Sequence, residues 1–207
     1  VRGVLSVVEG RVLGCLLEKE RTTPDQYPLT LNALVLACNQ STNREPLMNV
    51  EPSEVDAAIT SMKAAGFARV VHPSHGRSVT RYRHVADERY GWTPDQAALM
   101  AVLLVRGPQT ISELKTRSER LHGFASLDEV EATMRSLAST EEPFAVQLDR
   151  LPGQKEPRWQ QLLAEEPERE VARDKIASHG SGELHARIAE LEARVERLEA
   201  ALADLLS

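Results

Sequence analysis

Large aromatic rings are scarce in this chain: three Phe, three Tyr and two Trp among 207 residues. Its cores must therefore be built from Leu, Val and Ala, without many ring contacts to bind them. Cysteine is nearly absent too. Cys15 and Cys38 each lie in an apolar stretch, and neither stands at a metal-ligand spacing. That excludes a disulfide-dense secreted scaffold. It points to buried free thiols in a reducing, cytoplasmic setting, with one internal disulfide as the alternative. No apolar run approaches the ~18 residues of a membrane span, so no membrane role is expected. The start, Val1-Arg2-Gly3-Val4-Leu5, lacks the length and cleavage pattern of a secretory leader. Also missing are a Gly-Xaa-Ser-Xaa-Gly elbow, a phosphate-cradling glycine loop and a His-Glu-Xaa-Xaa-His pair. The chain reads as a non-enzyme with no cofactor and no metal.

Positive charge is in deficit as well. The net charge is −6, from 25 basic and 31 acidic residues. Residues 1–92 hold 11 basic and 10 acidic residues, residues 93–162 hold 8 and 10, and residues 163–207 hold 6 and 11. An acidic surface repels phosphate, so nucleic-acid binding is expected only of the first segment.

What is present is one module written twice. Residues 6–85 and 93–162 each read as three short helices followed by a hairpin. Ser6-Val7-Val8-Glu9 and Thr93-Pro94-Asp95-Gln96 are capping boxes that open the first helix of each copy. Both helices run into Leu-Leu, at 16–17 and 103–104. The second helices start after Thr30 and Thr110, and the third carry Glu54-Val55-Asp56 and Glu129-Val130-Glu131. The spacing between copies falls from 87 to 80 to 75 residues, as loop deletions in diverged duplicates would produce. Three helices and a hairpin in this order predict a winged helix. The fold class is α+β: mainly α with small β hairpins, in tandem winged helix-turn-helix domains.

In copy one the helices are expected at about Val7–Lys19, Leu31–Asn39 and Ser53–Gly66, and the strands at Phe67–Val71 and Val79–Arg83. From Phe67 through Ala86 there are four arginines, Arg69, Arg77, Arg81 and Arg83, three histidines, and no acidic residue. Arg77 falls in the loop, and Arg81 and Arg83 share a strand face. This is the pattern of a phosphate-contacting wing. An edge hairpin that carries charge against aggregation is the plainer alternative. The connection Asn39-Gln40-Ser41-Thr42-Asn43-Arg44-Glu45-Pro46 offers amides and Arg44 to base edges or phosphate. The same residues could instead lock a long turn, with Arg44 paired to an acidic neighbour. The third helix presents Glu54, Ala57, Ala58, Ser61, Lys63 and Ala65 outward, a poor set for reading bases.

Two groups of residues resemble a known family. One is Glu18-Lys19, Thr23-Pro24-Asp25-Gln26-Tyr27-Pro28-Leu29-Thr30-Leu31-Asn32-Ala33 and the run from Ala37-Cys38-Asn39 through Leu47-Met48-Asn49. The other is Leu103-Leu104-Val105-Arg106-Gly107-Pro108-Gln109-Thr110 with Glu113-Leu114 and Arg117-Ser118. These strings closely resemble the bacterial YceH-like proteins over about residues 6–162. The resemblance implies a tandem winged-helix architecture and supplies no catalytic residues.

Beyond copy two the chain is charged and then turns small and polar at Ser178-His179-Gly180-Ser181-Gly182. Leu184, Ile188, Leu191, Val195, Leu198, Leu202 and Leu205 follow at alternating spacings of four and three. With leucine at d and Ile188, Val195 and Leu202 at a, the heptads favour a parallel homodimer. An amphipathic helix folded back on the modules is the alternative. The expected domains are residues 1–92, 93–163, a flexible charged linker at 164–182 and a coiled-coil helix at 183–207. The leading function is a dimeric DNA-associated regulator acting on double-stranded DNA, and the alternative is an adaptor that docks another protein.

Overall fold

Helix α1 (Val7–Thr22) starts where the sequence signals it, because the Ser6 hydroxyl accepts from the Glu9 N–H and the Glu9 carboxylate accepts from the Ser6 N–H. The computed structural model describes residues 3–72, 79–150 and 152–166. It is mostly helical with small antiparallel strand pairs. After α1 come a single 3₁₀ turn at Pro24–Gln26, β1 (Leu29–Thr30), α2 (Leu31–Cys38), α3 (Pro52–Ala64), β2 (Ala68–Val71) and β3 (Arg81–His84). The second half follows a short helix α4 (Ala86–Tyr90). It comprises α5 (Pro94–Arg106), α6 (Ile111–Ser118), α7 (Leu127–Ala138), β4 (Ala145–Gln147) and β5 (Trp159–Gln161). Capping boxes also open α3 (Glu51 with Glu54), α5 (Thr93 with Gln96) and α6 (Thr110 with Glu113).

Some bounds differ from the sequence expectation for identifiable reasons. Helix α1 runs past Lys19 to Thr22, and the Thr22 and Thr23 hydroxyls bond back to the Glu18 and Lys19 carbonyls. Strand β3 is shifted toward His84, because pairing continues to Ala68↔His84 and the Val85 N–H bonds the Phe67 carbonyl. Val79 stays outside the strand with 66% of its surface exposed. The two-residue β1, which adds a third strand to the first hairpin in the order β1-β3-β2, was not foreseen, nor was α4.

Residues Val1–Glu166 form one compact unit, and the first and second halves, residues 6–85 and 93–162, both lie in it. The halves meet along α1 and α5. They approach closely at Gly14: a Cβ there would sit 2.7 Å from Val105 Cγ1 and 2.8 Å from Leu104 Cβ. A Cβ on Gly10 would overlap that of Ala164. Two glycines one turn apart thus form a notch that receives the bulky end of α5. Leu5 closes the seam. Its N–H donates to the Leu163 carbonyl at 3.1 Å, and its carbonyl accepts from the Glu165 N–H at 2.8 Å. These bonds bracket Ala164, where the linker was expected to start, and make it part of the fold. The Tyr90 and Trp92 rings lie 4.7 and 5.2 Å from Phe144, so the segment between the halves is itself packed. Leu99, Met100 and Leu103 are fully buried in this core, and each such side chain contributes about 1.5–3 kcal/mol of burial energy.

Candidate nucleic-acid interface on the first hairpin

Pairing of β2 with β3 fixes which side chains share a face. Arg69 lies opposite Arg83 and Val71 opposite Arg81, while Ala68 lies opposite His84 and Val70 opposite Tyr82. Directly opposed residues point to the same side of an antiparallel pair. Arg69, Arg81 and Arg83 therefore occupy one outward face, and buried Ala68 and His84 mark the inward one. Two arginines opposite each other repel. Glu88 of α4 lies between them, with Oε2 2.8 Å from Arg69 Nη1 and Oε1 2.7 Å from Arg83 Nη1. The Arg83 guanidinium holds the Glu88 carboxyl below its ordinary value. Helix α4 is held in turn by Arg89, which donates to the Ala65 carbonyl at 2.8 Å and lies over the Phe67 ring at 4.6 Å.

His84 underpins the same strand. Its Nε2 is 2.9 Å from Glu20 and its backbone N–H donates to the Tyr27 hydroxyl at 2.9 Å. The bond with His84 keeps the Glu20 carboxyl low, and burial pushes the Tyr27 hydroxyl up. This histidine is built into the support of the hairpin. Among the described residues no group of three or more His, Cys, Asp or Glu is placed to hold a metal ion.

Arg81 donates to the Pro28 carbonyl at 2.8 Å and to the Gln26 carbonyl at 3.3 Å. The second half holds a counterpart. Leu29 pairs with Tyr82 and Gln109 pairs with Trp159, so Arg81 corresponds to Arg158 and Pro28 to Pro108. Arg158 donates to the Pro108 carbonyl at 2.8 Å. It also reaches the Glu113 carboxylate at 2.8 and 3.2 Å. Burial pushes the Glu113 carboxyl up, but the Thr110 N–H and Arg158 bring it below its ordinary value. Glu113 is the third residue of α6, and the third residue of α2 is Ala33. The counterparts of Arg69 and Arg83 in the second hairpin are Val146 and Gln160. Sequence reasoning missed this correspondence. The signal was there: Pro-Xaa-Thr recurs at 28–30 and 108–110, and Arg followed by an aromatic residue at 81–82 and 158–159.

Arg44 is the sequence candidate that the structure removes from the surface. Its side chain is completely buried, against a 16% exposed Glu18. The guanidinium donates to Glu18 Oε1 at 3.1 Å and Oε2 at 2.5 Å, and Nε donates to the Ala37 carbonyl at 2.9 Å. Burial lowers the Arg44 pKa, but the Glu18 partner outweighs it and the net shift is upward. Of the two roles left open by the sequence, the turn-locking one matches this geometry, with Glu18 as the acidic neighbour. Buried Arg11 ties the same turn from below, donating to the Cys38 and Pro46 carbonyls at 3.2 and 2.7 Å. Cys15 and Cys38 are free thiols, both buried beside this pair of arginines. The turn also meets the second half. The Glu45 N–H donates to the Val105 carbonyl at 2.9 Å, and Arg106 donates to the Asn43 side-chain oxygen. The two groups of residues that carry the family resemblance thus pack against each other.

On α3, Glu54, Asp56, Ala57, Ser61 and Lys63 are exposed, while Ala58, expected outside, is buried at 6% exposure because it faces the core with Val55 and Met62. Arg77 and the rest of loop 73–78 lie outside the described residues, as do Leu184, Ile188, Leu191, Val195, Leu198, Leu202 and Leu205. No described helix is long and apolar enough to cross a membrane.

Residues 5–154 match the family described as "Protein of unknown function, DUF480". The chain belongs to this family. A UPF0502 protein of Geobacter metallireducens is 47% identical over 196 residues, covering 95% of this chain and 87% of that one. Its namesakes in Dechloromonas aromatica and Citrobacter koseri are 43% and 41% identical, and cover 96% and 98% of this chain and 94% and 96% of their own. The DUF480 match takes in α1 to β4 and ends before β5, so the Arg44 turn and the α1–α5 seam both lie inside the family unit. None of these descriptions states a ligand or an activity.

Proposed function

We propose that this DUF480 protein is a non-catalytic, transcription-associated DNA-binding protein of tandem winged-helix build, and that it grips duplex phosphate through the first hairpin. The element order supports the architecture: helix, short strand, helix, helix and hairpin in the first half, and helix, bridge, helix, helix and hairpin in the second. The observation that carries the function is the charge on the outward hairpin face. Arg81 bonds carbonyl oxygens, and Arg69 and Arg83 share a single carboxylate. The face therefore keeps positive charge beyond what its neighbours cancel, which is what phosphate contacts need. Arg77, the remaining arginine of this stretch, lies outside the described residues and carries no part of the proposal.

Base reading has no comparable support. Arg44 is buried, and the start of α3 presents Glu51, Glu54 and Asp56, which repel phosphate. Binding is accordingly backbone-dominated and insensitive to sequence. Titration of mixed-sequence duplexes at about 50 and about 150 mM salt tests it. Arg81→Ala should weaken binding about three- to tenfold on every duplex and reduce the salt slope by about one. A wild-type Kd weaker than about 100 μM at the lower salt defeats the reading, since that is the weak limit of ordinary non-specific binding.

A second reading, a protein adaptor, is favoured by two exposed leucines flanking the Arg44 turn, Leu36 at 64% and Leu47 at 66% exposure. Their replacement by Ser should leave DNA titrations unchanged and abolish capture of a protein partner if this reading holds. Homodimerisation through residues 184–205 belongs with either reading. It is checked by comparing the solution mass of the full chain with that of a chain ending at Glu166.

A further inference from the structure

We propose that Glu88 is an internal stand-in for a DNA phosphate, and that its carboxylate sets how tightly the first hairpin holds the duplex backbone. The inference rests on the DNA-binding reading above.

The geometry is that of a bound anion. Arg69 and Arg83 are cross-strand partners, so their guanidiniums emerge side by side from one face. One oxygen of Glu88 takes an N–H from Arg69 at 2.8 Å and the other takes one from Arg83 at 2.7 Å. A phosphodiester offers the same set: one negative charge spread over two outer oxygens, each able to accept a charge-assisted bond. The carboxylate and a backbone phosphate are therefore competitors for one pair of cations.

Accessibility makes the exchange feasible. The side chains of Arg69, Glu88 and Arg83 are 59%, 43% and 32% exposed. An ion pair this open is screened by water and salt and holds weakly. A duplex that also engages Arg81 brings its phosphate in at high local concentration. Only the Glu88 side chain has to turn away. The rest of α4 stays anchored by Arg89 on Ala65 and Phe67. The second hairpin shows the contrast. With Val146 and Gln160 at the corresponding places, it offers no such pair of guanidiniums.

The test uses the full chain and a fluorescently labelled mixed-sequence duplex at about 50 and about 150 mM salt. Glu88→Gln keeps the shape and removes the charge. It should raise affinity about three- to tenfold at the lower salt and steepen the salt dependence by about one. Glu88→Asp, which keeps the charge, should stay near wild type. Adding Arg69→Ala to Glu88→Gln should erase the gain. Urea midpoints confirm that each variant is folded, and Glu88→Ser replaces Glu88→Gln if it is not. If wild type binds in an Arg81-dependent way and Glu88→Gln binds no better, Glu88 is only a structural brace and the inference is overturned while the DNA-binding reading stands. If neither protein binds below about 100 μM, the DNA-binding reading falls and this inference with it.

Discussion

Arg81 and Arg158 occupy the same place in the two halves of the molecule, and the halves treat them differently. Each precedes the aromatic residue that pairs with the segment after a proline. Each donates to that proline's carbonyl at 2.8 Å. Arg158 additionally meets the Glu113 carboxylate, whereas the corresponding third residue of α2 is Ala33, which has no carboxylate to offer Arg81. The shared backbone contact shows what both halves require of an arginine here, which is to tie the hairpin to the segment that leads into the second helix. The added carboxylate shows what is free to vary, which is whether a charge remains for something outside the molecule. The connection between the second and third helices differs in the same sense. The first half keeps a long turn pinned by buried Arg44, while the second crosses in a few residues with Phe124 packed on His122 at 4.7 Å.

That long turn is where the comparison breaks with the largest effect. Arg44→Ala should destabilise the protein by about 3 kcal/mol, because it leaves Glu18 without its partner and frees the Ala37 carbonyl. The partial exposure of Glu18 lets water return and keeps the loss at the lower end of the buried-pair range. Urea unfolding of the Arg44→Ala chain is the measurement. A loss under about 1 kcal/mol would mean that the turn is held mainly by Arg11 and the Asn39–Val50 bonds. Next in size is the seam. Gly14→Ala gains about 1 kcal/mol of helix propensity. It also pushes a methyl against Leu104 Cβ, which cannot rotate away. The net loss should be about 2 kcal/mol by the same measurement. A neutral result would show that the two halves can separate slightly at no cost.

The starts of α1, α5 and α6 were legible in the sequence because capping boxes are local: Ser6 with Glu9, Thr93 with Gln96 and Thr110 with Glu113 need only three residues of context. The hairpin pairing was legible from β-branched runs around a glycine-containing loop. Arg44 was not, because a buried arginine and a surface arginine look alike until Glu18, 26 residues earlier, is brought beside it. Glu88 was missed for a related reason. It lies just past the arginine-rich stretch, so a window ending at Ala86 counted no acid, while the chain folds α4 back onto the strands. The seam was hidden as well, since Gly10 and Gly14 in a helix read as weakness until the α5 side chains that fill the notch are seen.

A smaller effect separates the halves by pH. The Glu113 carboxyl is held below its ordinary value in the folded chain. A depressed carboxylate stabilises the fold above its unfolded pKa of about 4.3, and that contribution is lost as pH falls through the lower folded value. Glu113→Gln should therefore cost up to about 1 kcal/mol near neutrality, because the site is partly open to solvent. It should cost nothing once the pH has fallen below the folded value. Stability against pH for the two proteins would show the curves converging on the acid side. Parallel curves would mean that Glu113 acts through shape, with no contribution from its charge.

The comparison is sharpened most directly by giving the first half what it lacks. Ala33 is the third residue of α2, with Thr30 at the N-cap accepting the Ala33 N–H at 3.2 Å, as Thr110 accepts that of Glu113. Glu at 33 should complete a capping box and reach Arg81, reproducing the Thr110–Glu113–Arg158 arrangement. The expected gain in stability is small, about 0.5 kcal/mol, because cap and ion pair are both near the surface. The functional consequence runs the other way. Neutralising Arg81 without removing it should weaken DNA binding about threefold and flatten the salt slope, while Arg81 keeps its bonds to the Pro28 and Gln26 carbonyls. Arg81→Ala removes charge and brace together, so only Ala33→Glu separates them. A variant that is more stable and binds DNA as wild type does would show that Arg81 serves the hairpin alone. The phosphate contacts would then have to come from Arg69 and Arg83.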